Sequence, residues 1–151
     1  LNSKIFDNLL QHVKNCKKVS VLGLSYKPKS FLIEKSPGIS LTKLLFEKGF
    51  LVKCFDPMAN KEAKAVLPKD IEICENIDSA ITEIDAVFIA TPDSQFVDCM
   101  RNIEKDVIVI DLWRYIDGDI ASQFENYIGY GICLDNNEHA KKLESIWEDY
   151  E

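Results

Sequence analysis

Val19-Ser20-Val21-Leu22-Gly23-Leu24-Ser25-Tyr26-Lys27-Pro28-Lys29-Ser30-Phe31-Leu32-Ile33-Glu34-Lys35-Ser36-Pro37 opens on an apolar β-type run and closes on a helix start. Ser36 is a suitable N-cap, and Pro37 fits the first helical position, where its missing N–H costs nothing. The stretch therefore crosses from a first strand to a helix. Such crossings usually take a few residues, and this one is several times longer, which suggests a binding loop. Three lysines against one glutamate give it a charge of about +2 in an acidic protein, suited to an anion such as a phosphate ester.

Outward from this loop, strand-like and helix-like patterns alternate. Residues 3–16 place Ile5, Phe6, Leu9, Leu10 and Val13 on one helical stripe, with Ser3 as a possible cap. The first strand is roughly 18–23. Leu41, Leu44 and Leu45 form the buried stripe of the helix that opens at Ser36-Pro37, and Gly49 fits its end. A strand over 50–55 ends at Asp56-Pro57. Short helices are expected over 58–67 and 76–83, with a short strand at 71–74 between them. Residues 86–90 and 107–110 are continuously apolar, as doubly buried strands are. A helix is expected from Thr91-Pro92-Asp93 to about Met100, another over 119–126, a last strand over 127–133, and a polar helix over 137–150. Alternating elements of this kind predict an α/β fold of the Rossmann-like, doubly wound type, a mainly parallel sheet with helices on both faces. In that order the first strand lies beside the fourth, at the switch point where ligands bind. The long loop and Thr91 would flank one crevice.

Composition narrows the function. The chain has 151 residues, 46% hydrophobic and 28% charged, with a net charge of −7, which disfavours general nucleic-acid or anionic-membrane binding. No apolar run reaches the length of a membrane span, so a cytoplasmic location is expected. The chain opens on Leu1 rather than methionine, which suggests residues upstream. Five scattered cysteines, none spaced as CxxC, argue against a disulfide framework or zinc site. Cys54 and Cys133 read as small core residues, and His12 and His139 as helix residues without catalytic roles.

The candidate site residues each admit two readings. Lys27 can reach a diphosphate or remain a solvated loop lysine. Tyr26 can stack on a base or pack against the sheet end. Thr91 can touch a ligand or cap the helix from Pro92. Arg114 can bind a phosphate bidentately or pair with a surface carboxylate, and Trp113 fits an interface or lid. Asp56 stands where a Rossmann acid binds ribose, but Asp-Pro is also a helix cap, and the loop is neither GxGxxG nor a Walker A sequence. The capping reading is preferred. No catalytic constellation stands out.

Residues 18–118 resemble the C-terminal, UDP-binding domain of the UDP-glucose/GDP-mannose dehydrogenase family. The resemblance rests on Gly23-Leu24-Ser25-Tyr26-Lys27-Pro28, Ser36-Pro37, Asp56-Pro57, Thr91 and Asp111, in order and at fitting distances. It implies a connecting helix over 1–17 and a UDP-sugar-binding domain over 18–151. It also implies a full enzyme that oxidises a nucleotide sugar's C6 alcohol to a carboxylate with NAD, the NAD domain and catalytic cysteine lying outside this chain. Tyr26 and Lys27 would contact the nucleotide sugar, Lys27 near the diphosphate, and a homodimer is plausible. Three departures stand out. Lys29-Ser30-Phe31-Leu32 replaces an acidic-threonine stretch, Glu34 stands where the family has arginine, and Arg114 is displaced by one position. The alternatives are a stand-alone, non-catalytic nucleotide-binding or regulatory module, and a minor Rossmann-like oxidoreductase using Asp56 for ribose.

Overall fold

The structure, a computed structural model, describes residues 3–130. The expectations for Cys133, His139, the helix over 137–150 and the end of the strand over 127–133 lie outside the described residues. Helix α1 (Ser3–Val13) is followed by β1 (Lys18–Leu22), α2 (Pro37–Glu47), β2 (Leu51–Phe55), α3 (Asn60–Val66) and β3 (Glu72–Ile73). The second half runs α4 (Ile77–Ala80), β4 (Ala86–Ile89), α5 (Ser94–Asp98) with a 3-10 turn at Cys99–Asn102, β5 (Ile108–Asp111), α6 (Gly118–Ala121) and β6 (Tyr127–Gly129).

The strands form one parallel sheet in the order β3-β2-β1-β4-β5-β6. This is the doubly wound order, and β1 lies between β2 and β4, with Val21 opposite Cys54 on one side and Phe88 on the other. Side chains on opposite faces build two cores. One packs Val19, Val21, Val52, Phe88 and Ile110 beneath α1 and α2, through Phe6, Leu9, Val13, Leu41 and Leu45. The other packs Leu22, Val87, Ile89 and Val109 against Phe96, Met100, Ile81 and Phe124. Burial of these aliphatic and aromatic side chains is the main stabilising term. Helix α1 thus shares the core of the sheet, and among the described residues no helix is long and apolar enough to cross a membrane.

The helix ends follow local chemistry. Ser36 Oγ accepts from the Ile39 N–H at 3.2 Å, with Pro37 opening α2 as expected. At the other end Gly49 (φ +95°) and Phe50 donate to Phe46 O and Leu45 O, closing a Schellman-type stop. Two expectations are corrected. Helix α5 starts at Ser94 and is capped by Asp93, whose carboxylate accepts from Gln95 N at 2.9 Å, so Thr91 does not cap it. Helix α1 ends at Val13, three residues early, in a turn closed by Cys16 N donating to Val13 O.

Two glycines let α2 dock on the sheet. Gly23 has φ +103°, and a Cβ there would collide with the Thr91 side chain. A Cβ on Gly38 would strike the Gly23 carbonyl, so the first turn of α2 touches the end of β1 backbone to backbone. Gly38→Ala is expected to lower stability by about 1–3 kcal/mol, as overpacking does, measured by urea denaturation. At the opposite edge the exposed Asp85 carboxylate accepts from Lys17 N (2.9 Å) and Lys18 N (3.0 Å), and these backbone bonds hold its pKa below the usual range. Such a group stabilises the fold above its unfolded pKa of about 4, and that contribution fades as pH falls through the lower folded value. Asp85→Asn is therefore expected to lower the urea midpoint at pH 7 and to converge with wild type in acid.

Candidate functional site at the carboxyl edge of the sheet

The loops leaving β1, β2, β4 and β5 meet at the carboxyl edge, and an aspartate ends or follows two of these strands. Asp56, 3% exposed, accepts four backbone hydrogen bonds. Its Oδ2 takes Leu24 N at 2.8 Å and Ser25 N at 3.0 Å, and its Oδ1 takes Met58 N at 2.8 Å and Ala59 N at 2.9 Å. A carboxylate is stable in such a place because N–H groups replace its lost water. The preferred capping role of Asp56 is found in altered form. It closes the turn over 57–59, Ala59 stands at the N-cap of α3, and Pro57 lies ahead of the helix.

Asp111 does the same for the β5 loop. Fully buried, it accepts from Trp113 N (3.2 Å), Ile116 N (2.7 Å) and the Tyr127 hydroxyl (2.7 Å). Burial, then this carboxylate, pushes the Tyr127 phenol well above its ordinary pKa, so it stays a donor.

The start of the long loop is clamped from several sides. Thr91 Oγ1 donates to Ser25 O at 3.1 Å, joining the ends of β1 and β4. Ser25 Oγ donates to Lys27 O at 2.7 Å, and Ser36 Oγ to Ser25 O at 3.5 Å. Tyr26 N donates to Leu32 O at 2.6 Å, closing the loop on itself. Lys27 is a buried residue, 9% exposed, not the solvated lysine of the alternative reading, and Tyr26 is half-buried. Tyr26, Lys27 and Thr91 thus gather around one clamped segment.

Arg114 is held elsewhere. Its backbone has φ +52°, and its exposed side chain donates from Nε to Gly129 O at 3.0 Å, a backbone carbonyl of β6 rather than the surface carboxylate of the alternative reading. Trp113 packs against the core, and its Nε1 donates to Ala90 O at 2.9 Å, tying the β5 loop to the end of β4. Sequence reasoning missed Ser25, Tyr127 and the anchoring role of Asp111. A short polar residue two positions past the glycine that follows β1 was the available signal for Ser25; nothing local marked Tyr127.

Burial pushes the thiols of Cys54, Cys74 and Cys99 up to about 12, leaving them protonated at neutral pH. Among the described residues no group of histidine, cysteine and carboxylate side chains could hold a metal. An ordinary dinucleotide site does not fit the β1–α2 turn either. Gly23 supplies the turn and Gly38 the close helix contact, but the intervening glycine that admits a pyrophosphate is missing. Both oxygens of Asp56, the acid placed for ribose, are already engaged.

Residues 20–118 match the UDP-binding domain of the UDP-glucose/GDP-mannose dehydrogenase family. The chain belongs to that family. Among curated members, a UDP-glucose 6-dehydrogenase of Rickettsia felis is 32% identical over 125 residues, covering 79% of this chain and 28% of the relative. One from Bacillus subtilis is 30% identical over 113 residues, covering 71% and 24%. The chain therefore spans about a quarter of the length of these relatives. In three dimensions it resembles a UDP-glucose dehydrogenase from Pyrobaculum islandicum, with a TM-score of 0.69, 26% identity, and coverage of 85% of this chain and 29% of the other. A GDP-mannose dehydrogenase from Pseudomonas aeruginosa shares the fold at a TM-score of 0.66 and 21% identity, covering 85% and 30%. The matched region contains the clamped loop, Asp56, Thr91, Asp111 and Arg114.

Asp56→Ala is expected to cost about 3 kcal/mol or more in urea denaturation, because buried N–H groups of the β1 loop and the following turn lose their acceptor. Asp56→Asn should recover part of this, since one amide oxygen still accepts.

Proposed function

We propose that this chain is the nucleotide-sugar-binding domain of an NAD-dependent nucleotide-sugar dehydrogenase, acting on a UDP-sugar or a close relative. The oxidation of a C6 alcohol to a carboxylate, with its NAD and nucleophilic cysteine, belongs in this reading to the rest of the protein, and α1 is the connection entering the domain. The observation that carries the reading is Lys27, a buried lysine on a segment locked to Asp56 and Thr91 at the switch point of the sheet.

A lysine in that position holds a diphosphate more strongly than an exposed one, because water competes less. The positive end of the α2 dipole abuts the same loop, which favours an anion there. Tyr26, next to Lys27 in the chain, and Thr91, bonded to Ser25, would orient the nucleotide sugar. Arg114 would add a contact through its guanidinium from the β5 side. The site binds and positions the substrate; the hydride and acyl chemistry takes place on groups supplied by the other domain. A homodimer is part of the same proposal.

A second reading, a stand-alone module that binds a nucleotide without catalysis, draws on the loop's second half. Glu34 is exposed where the family pattern has arginine, and Phe31 and Leu32 are exposed beside it. The parent reading frame separates the two. A dinucleotide-binding domain with a reactive cysteine encoded in the same polypeptide supports the enzyme, and a frame encoding this domain alone supports the module.

Lys27→Ala is expected to weaken UDP binding by about 1–3 kcal/mol, the scale of a charge-assisted hydrogen bond, in isothermal titration calorimetry. Equal affinity in wild type and variant removes Lys27 from the site.

A further inference from the structure

Away from the proposed nucleotide crevice, the opposite edge of the sheet carries two hollows of opposite charge. The strands begin at this edge, with Lys17 and Lys18 entering β1, Leu51 opening β2 and Glu72 opening β3. One hollow, of about 400 Å³, lies where α1 and α2 end, and Lys14, Lys17, Lys48, Phe50 and Leu51 line it. Among the described residues no carboxylate lines it. The other, of about 360 Å³, reaches toward β3 and is lined by Asp70, Glu72, Glu83 and again Leu51. Its two lysines are engaged nearby. Lys53 Nζ donates to Ser79 O at 3.1 Å and Thr82 O at 2.8 Å, and Lys18 stands beside the Asp85 carboxylate.

Leu51 belongs to both hollows and, at 63%, is the most exposed large hydrophobic side chain among the described residues. Lys14 and Lys48 follow the last turns of α1 and α2, where positive charge offsets the helix dipole. That explains their sign, but not Lys17, nor a leucine left in water between hollows of opposite charge. The edge is also held in place. Leu51 N donates to Lys17 O at 2.9 Å, and the Asp85 carboxylate accepts from the backbone of Lys17 and Lys18. A partner therefore meets a surface that needs little further ordering.

We infer that this amino-terminal edge is a self-association face, on which a second copy of the chain docks about a two-fold axis. Basic, apolar and acidic parts in that order are complementary to themselves under a half rotation. Leu51 meets its own counterpart near the axis, and Lys14, Lys17 and Lys48 of each copy face Asp70, Glu72 and Glu83 of the other. A lone exposed leucine is ordinary; the matched charges on either side of it name the occupant. The chain's net charge of −7 opposes association in most orientations, so only one that sets unlike halves together is favourable. Exposed ion pairs are individually weak, and the dimer is accordingly weak. The face is separate from the nucleotide crevice, and the inference stands whether or not the chain binds UDP.

Sedimentation equilibrium of the chain from about 1 µM to about 1 mM tests it, with charge reversals in each half. Lys14→Glu/Lys48→Glu makes both halves acidic, and Asp70→Lys/Glu83→Lys makes both basic. The wild type is expected to dimerise within this range, and each variant alone to dimerise at least tenfold more weakly. Mixed together, the two variants should form a one-to-one heterodimer at least as tight as the wild-type dimer, which a misfolded variant could not do. Leu51→Asp, a change at an exposed position, should weaken self-association at least tenfold. UDP affinity should change less than twofold in all of these, whereas Lys27→Ala should leave the dimer intact. A wild-type chain that stays monomeric throughout the range overturns the inference. A dimer that survives the reversals or Leu51→Asp overturns it too, by placing the contact elsewhere. Loss in both reversal variants without recovery on mixing assigns the face to a different occupant.

Discussion

Four backbone N–H groups converge on the Asp56 carboxylate, two from the loop after β1 and two from the turn after β2. An isolated buried charge would be prohibitive, and buried N–H groups without an acceptor nearly as bad, so the two strand ends are compatible only together. This contact fixes Leu24 and Ser25, and Ser25 in turn receives Thr91 from β4 and Ser36 from the cap of α2. The ends of β1 and β4 and the start of α2 are thus tied together through Ser25. Asp111 repeats the device at β5, gathering Trp113, Ile116 and Tyr127. Preorganisation of this kind spares a ligand the cost of ordering the loop it meets.

The fold was legible in the sequence because its signals are local and redundant. The apolar runs of β1, β4 and β5, Ser36-Pro37 and Gly49 each report a backbone state within a few residues. Alternation of strand and helix pointed to the doubly wound order, and with it to the pairing of β1 with β4. The errors have the same cause in reverse. Thr91-Pro92-Asp93 offers two cap residues; Thr91 is tied to Ser25 instead, and Asp93 is the cap. For Asp56 the sequence correctly preferred a structural role to a ribose contact, without showing that its partners include residues 24 and 25.

Site residues were legible as types and less so as a constellation. Lys27 was visible as a basic residue past the strand end; its burial depends on the loop folding back through Tyr26 and Leu32. Arg114 was placed on the right loop, but its bond to Gly129 belongs to β6, a weakly patterned strand. The family match extends over both residues.

The central claim is that the Asp56-clamped segment at the carboxyl edge of the sheet receives a nucleoside diphosphate. Backbone 15N chemical-shift mapping of the chain with UDP tests it most directly. The account predicts saturable shifts concentrated at Leu24, Ser25, Tyr26, Lys27 and Thr91, with the amino-terminal edge around Cys16 and Lys48 unmoved. Shifts confined to that opposite edge, or none at millimolar UDP, would contradict it.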